Sequence, residues 1–231
     1  MNPASALEER GFVVVERVIS PIVLARLSKS YDTALATAAP DDIKEGTATT
    51  RVSDFVNRGP DFDAIYILPP LLEACRQTIG EQFRLSSFHA RTLRARTEAG
   101  EWHVDVDRGA DEWPLVGFIL MIDAFTLDNG ATRFIAGTHR WRKTPLDTMQ
   151  DLRADADGQE LACGPAGSLV IFNGSTWHSH GANRTDRPRR SLQGAFIPPT
   201  GRVATDFHSN MTADTHKRLG PAAHAVLGIA V

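Results

Sequence analysis

Gly167-Ser-Leu-Val-Ile-Phe-Asn-Gly-Ser-Thr-Trp-His-Ser-His-Gly-Ala-Asn183 holds an apolar run, a glycine turn, and a second extended segment carrying two histidines. A short apolar run bounded by Gly and Asn reads as a buried strand that turns back on itself. The same pattern recurs on both sides. Segments 83–97, 115–124, 131–136 and 160–163 upstream, and 190–198 downstream, are short, apolar or alternating, and separated by Gly, Pro, Asn and Asp. Together with 168–173 they predict one antiparallel sandwich or barrel over about 81–200. Ahead of it, residues 4–9 read as a short helix, Gly11 releases the strand Phe12–Val15, and Ser20-Pro21 starts a helix running to about residue 37. Residues 40–50 are polar and read as a loop, and a helix over Pro70–Ile79 stops at Gly80. A final helix over roughly 210–218 precedes a small apolar tail. The expectation is a mainly β fold with flanking helices (α+β) in a single domain, 1–231. Its parts are a helical region of about 1–80, the β core, and a C-terminal helix and tail of about 201–231.

The 231 residues carry 25 Lys+Arg against 28 Asp+Glu, a net charge of −3, which argues against a general nucleic-acid binder. Hydrophobic residues at 42% rule out a largely disordered chain. Cys75 and Cys163 share no short motif and read as reduced thiols. The opening MNPASALEERGF puts charges where a signal peptide needs an apolar run, and no uncharged stretch approaches the ~20 residues of a membrane span. A cytoplasmic protein with a small-molecule partner, and with neither nucleic acid nor membrane, is the expectation.

Most of the eight histidines read as surface or core residues. His103 differs because Asp105 follows at i+2. On an extended segment both side chains point to one side while Val104 points away. An imidazole and a carboxylate form a partial site for Fe(II), Mn(II) or Zn(II). A third ligand fits His178 or His180, which alternation alone does not separate. Two imidazoles and one carboxylate on one side of a metal leave the other side open, as in the facial triad of non-haem Fe(II) oxygenases. Such a site takes a co-substrate. An arginine beyond the turn forks onto a carboxylate through two parallel hydrogen bonds, and Arg189 and Arg190 compete for that place because adjacent strand residues face opposite ways.

Trp102-His103-Val104-Asp105, then Asp128-Asn-Gly-Ala-Thr-Arg-Phe-Ile-Ala-Gly-Thr-His139, then Trp177-His178-Ser-His-Gly-Ala-Asn183 with Arg189 resemble the phytanoyl-CoA dioxygenase family over nearly the whole chain. The resemblance implies a double-stranded β-helix (jelly roll) and an Fe(II)/2-oxoglutarate-dependent oxygenase. Such an enzyme oxidises, most often by hydroxylation, an unactivated C–H bond of a small organic metabolite with O2, and releases succinate and CO2. It implies His103, Asp105 and His178 as catalytic metal ligands, with Arg189 and Thr132 holding 2-oxoglutarate. It makes His139 structural, and suggests Arg51, Arg91 and Trp102 on the substrate side. Asp105 sets the chain apart from halogenating relatives, which carry a small residue there. Two departures are Glu101, where several relatives have Gln, and His180, where many have Ser. The competing functions are a cupin-like metal enzyme that uses His178 and His180 without 2-oxoglutarate, and a non-catalytic metabolite-binding jelly roll.

Overall fold

The computed structural model describes residues 3–229. Ser20 caps helix α2 (Pro21–Ala36) through its side chain, and α1 (Pro3–Arg10) leads through Gly11 into strand β1 (Phe12–Val15). Helix α3 spans Pro69–Thr78. The core strands follow: β4 (Arg84–Leu93), β5 (Val116–Met121), β6 (Thr132–Ile135), β7 (Gln159–Leu161), β8 (Leu169–Asn173), β9 (His178–His180) and β10 (Arg189–Ile197).

Two further strands arise where the polar composition predicts a loop. Ile43–Glu45 (β2) and Thr49–Val52 (β3) form a hairpin, and β3 pairs with β4. Its lack of an apolar stripe has a physical cause. The side chains of β3 that share a face with the inner residues of β4 are Thr49 and Arg51, which meet a polar cavity and not a hydrophobic core. The C-terminal segment also differs, forming three short helices: α4 (Phe207–Asn210), α5 (Ala213–Arg218) and α6 (Pro221–Leu227). Thr212 caps α5 and Gly220-Pro221 starts α6, so each break has its own local signal.

The strands assemble into a seven-stranded sheet, in the order β1-β8-β5-β10-β4-β3-β2, facing a three-stranded sheet, β7-β6-β9. Every pairing is antiparallel. This is the jelly-roll arrangement. Alternation gives the large sheet two different faces. Its outer face presents Leu120, Phe118, Leu192, Phe88 and Ala90 to helices α1–α3 and α6, and buries an aromatic group built on Phe55, Phe62, Tyr66 and Phe196. Phe55 and Phe62 meet edge to face at 4.8 Å, and Tyr66 and Phe88 at 5.3 Å. The inner face presents Phe12, Val170, Phe172, Ile119 and Met121 to Phe134 and Ala131 of the small-sheet side. Following that face across the register, Met121 pairs with Ser191, which pairs with Arg91, which pairs with Arg51. The interior thus grades from apolar at β1 to cationic at β3.

Candidate metal and co-substrate site

His103 and His178 form an isolated antiparallel bridge, each backbone N–H donating to the other's carbonyl at 3.0 Å. This pairing ties the loop holding His103 to β9 and brings the two rings to 4.4 Å between centroids. The Asp105 N–H donates to Gly174 O at 2.7 Å, which turns its carboxylate back to the imidazoles. Asp105 Oδ1 lies 3.8 Å from His103 Nε2 and 3.6 Å from His178 Nε2, and all three ligand atoms lie within 4.8 Å of one another.

The backbone fixes both tautomers. His103 Nδ1 bonds Glu101 O at 2.9 Å, and His178 Nδ1 bonds Thr176 O at 2.8 Å. A carbonyl only accepts, so each Nδ1 carries the proton and each Nε2 lone pair points to the common centre. His178 is buried between Phe134 and Phe172, with ring centroids at 5.6 and 4.8 Å. That burial pushes its pKa from 6.5 down to about 4, against the pull of Asp105. The donor set of two imidazole nitrogens and one carboxylate oxygen, the only such cluster among the described residues, suits a divalent metal of the iron–manganese group.

His180 stands outside this cluster. It faces Thr132 across the β6–β9 ladder, two pairs beyond the Phe134–His178 pair, and its Nδ1 bonds Gly181 O at 3.0 Å. Burial lowers its pKa to about 4, with Arg91 and Arg189 adding to the effect. Gly100 closes over its other side, where an added Cβ would meet His180 Nε2 at 2.6 Å. His89, on the inner face of β4, is likewise held neutral, first by burial and then by Arg51 and Arg91. These depressed values carry a stability consequence. Between about 4 and 6.5 the unfolded chain binds protons at His178 and His180 that the folded chain refuses, so stability rises with pH across this window. The contribution is complete above about 6.5 and is lost as pH falls toward 4. Calorimetry of the metal-free protein is expected to show Tm falling steadily from about pH 7 to about pH 4.5. A flat Tm there would mean that these imidazoles titrate as if exposed.

Arg189 sits on the inner face of β10 and is 2% exposed. Its guanidinium lies 3.9 Å over the Phe125 ring, and its Nε and Nη1 are buried with no hydrogen-bond partner among the described residues. Burial, reinforced by Arg91, lowers its pKa to about 9. Arg190 points the other way. It donates to Asp123 at 2.7 and 3.1 Å and to Asp32 of α2 at 2.8 and 2.9 Å. Thr132 is buried on the inward side of β6. Arg51 and Arg91 face one another across β3 and β4 on the inner face. Trp102 is 1% exposed and packs, its indole N–H donating to Ala154 O at 2.9 Å. His139, buried near α1, bonds Glu8 O at 3.1 Å, a structural role.

Sequence reasoning passed over Arg133. This buried side chain stacks 4.3 Å over Trp102 and donates to the carbonyls of Gly100, Arg153 and Ala154 and to Asp155. It fastens the loop that carries His103 to the loop at 152–155. Its contacts are all long-range and its neighbours alternate normally, so no local pattern marks it.

The family model for phytanoyl-CoA dioxygenase matches residues 7–191. The chain belongs to the phytanoyl-CoA dioxygenase family. Among curated relatives, dioxygenase af480 of Aspergillus fumigatus is 25% identical, with 99% of this chain and 77% of the relative covered. Multifunctional dioxygenase prhA of Penicillium brasilianum is 28% identical, over 84% of this chain and 70% of the relative. Among solved structures, EctD from S. alaskensis in its apo form superposes with a TM-score of 0.71 at 18% identity, covering 87% of this chain and 77% of its own. The epimerase SnoN, solved with Fe3+, alpha ketoglutarate and nogalamycin RO, superposes at 0.68 with 19% identity, covering 91% and 89%. As a member of this family the protein is a 2-oxoglutarate-dependent dioxygenase, whose cofactors are iron, 2-oxoglutarate and O2. No helix among the described residues is long and apolar enough to cross a membrane.

Proposed function

We propose that this phytanoyl-CoA dioxygenase family member hydroxylates an unactivated C–H bond of a small organic metabolite. His103, Asp105 and His178 hold the iron, while Arg189 and Thr132 receive 2-oxoglutarate. One observation carries the reading. Arg189 is a fully buried cation with two unpartnered nitrogens, on the same interior face that closes over the His–Asp–His cluster. An unpaired buried guanidinium is costly unless an anion completes it. A dicarboxylic 2-oxo acid does so with one end and leaves its 2-oxo carboxylate for the metal.

Bound at the three side chains, ferrous iron supplies the redox chemistry that couples O2 consumption to decarboxylation of the oxo acid. The residues supply the rest. The two Nδ1–H bonds select the tautomer that leaves each Nε2 free and aim both rings, and Asp105 would offset part of the ion's charge. Phe134 and Phe172 wall His178 from water. Arg189, anchored on a central strand of the large sheet, fixes the co-substrate's far end and so its orientation. Purified protein given Fe(II), 2-oxoglutarate and O2 is expected to form succinate and CO2 in equal amounts, and a chelator is expected to stop it. Succinate at the level of the chelated control, with a panel of candidate metabolites added, would refute the assignment.

A further inference from the structure

Residues 104–113 and 140–144 enclose a cleft of about 670 Å3, within the usual size of a small-molecule site. Four cations line it, Arg108, Arg140, Arg142 and Lys143, against the single acid Asp107. The cleft is therefore positive in a chain whose net charge is −3. None of the four has a salt bridge among the described residues, whereas other surface arginines do. Arg94 meets Glu45, Arg96 meets Asp186, and Arg153 meets Glu101. Asp147 feels the charge of Lys143, but its carboxylate is engaged by the Thr144 N–H at 2.7 Å and the Thr144 hydroxyl at 3.0 Å. Two of the cations are nevertheless held in place. Arg108 donates to Arg140 O at 2.9 Å and lies 5.3 Å over the Trp113 ring, and Arg140 donates to Glu8 O. A carbonyl or a ring face orients a guanidinium without neutralising it, so the positive charge stays available. One wall is aromatic. Trp141 is 51% exposed and stands edge-on to Trp177 at 5.2 Å, while the Trp177 indole N–H holds Lys143 O at 3.2 Å. That pair of contacts fixes the Trp141 ring beside the Arg142 and Lys143 charges.

The cleft is distinct from the one that opens on the metal cluster. The latter is lined by Arg91, His103 and His180, and the two share no lining residue. None of the side chains assigned to iron or 2-oxoglutarate faces the cationic cleft. We propose that it is an accessory binding site for a phosphate monoester of a ring-bearing small molecule, taken up alongside iron and 2-oxoglutarate. The two fixed guanidinia receive phosphate oxygens in pairs, Arg142 and Lys143 add charge, and the exposed indole receives the flat ring. A concave wall with converging cations suits a small ligand, where a flat cationic face would suit a polymer or a surface.

Calorimetry of the full chain at about 0.15 M salt, where exposed charges are screened beyond ~8 Å, tests the site with phenyl phosphate and inorganic phosphate as probes. Titrations are run with manganese(II) and 2-oxoglutarate saturating, and again with neither. Phenyl phosphate is expected to bind in both states with affinities within about threefold of each other. It is expected to bind about threefold or more tighter than inorganic phosphate, the increment of one ring contact. The double substitution Arg142→Gln/Lys143→Gln is expected to weaken phenyl phosphate binding by about tenfold or more, the equivalent of one charge-assisted bond. Trp141→Ala is expected to erase the preference for the ring and to leave the affinity for inorganic phosphate within about threefold of wild type. All three side chains are exposed, so both variants should keep the wild-type Tm. Absence of phenyl phosphate binding by the wild type overturns the site, as does binding indifferent to the double substitution. Binding confined to the manganese-loaded state, or abolished in it, would place the anion in the metal cavity and overturns the site too. A ring preference that survives Trp141→Ala overturns the ligand class.

Discussion

Asp105→Ala is expected to leave a folded protein that no longer retains iron and has lost turnover. The carboxylate is the one anionic member of the cluster, and it reaches to within 3.6–3.8 Å of both imidazole Nε2 atoms. Without it, two neutral nitrogens would have to hold a divalent cation, with the guanidinia of Arg51 and Arg91 close enough to Asp105 to feel its charge. Loss of a partner that merely orients a ligand costs about 10- to 100-fold in metal affinity, and loss of a charged ligand costs more. The fold does not depend on this side chain, which is about one-third exposed, and the Asp105 backbone bond to Gly174 survives the substitution. Metal content after loading and desalting is the measurement, with Tm as the control. His178→Ala should behave likewise, while His180→Ala should keep its metal. Equal loss in His178→Ala and His180→Ala would contradict the assignment of ligands and restore the cupin-like alternative.

That contrast shows what the sequence conveys and where it stops. The His103-x-Asp105 pair was legible because strand alternation alone brings i and i+2 together. His178 and His180 obey the same alternation, and both do face inward. What separates them is position along the strand, since His178 lies across from His103 in the bridge and His180 lies across from Thr132. No local pattern encodes which loop docks on which pair. Arg189 and Arg190 were undecided for a related reason. The choice is made by α2, whose Asp32 draws Arg190 to the outer face, and by Asp123 at the end of β5. The hairpin at 43–52 went unread because hydrophobic alternation reports burial against a core, and its inner residues face a charged cavity. The core strands, which do bury apolar faces, were read to within a few residues. The burial of Trp102 and the structural role of Arg133 meet in one contact, the guanidinium stacked on the indole, which is visible only once the two loops are together.

The substitution Arg189→Leu is expected to act in opposite directions on binding and on stability. In the co-substrate-free protein the guanidinium is desolvated, with two nitrogens unpartnered and Arg91 nearby as a like charge. Replacing it with an apolar side chain that packs on Phe125 removes that cost, so Tm without 2-oxoglutarate should hold or rise. Affinity for 2-oxoglutarate should fall by about a hundredfold or more, since two parallel charge-assisted bonds at ~1.5–3 kcal/mol each are lost. The stabilisation that a binding ligand confers should vanish with it, so wild-type Tm climbs with 2-oxoglutarate concentration and the variant's does not. Arg190→Leu should give the reverse. Its bonds to Asp123 and Asp32 join the large sheet to α2, so Tm should fall while 2-oxoglutarate affinity stays within a few-fold of wild type. A residue that merely packs would lower stability and affinity together, and a surface residue would change neither. The opposed signs are therefore the signature of an arginine whose native partner is a ligand and not another part of the chain. Should both substitutions lower Tm and leave 2-oxoglutarate affinity intact, the co-substrate's distal carboxylate must be received elsewhere, and the buried cation at Arg189 would need another anion.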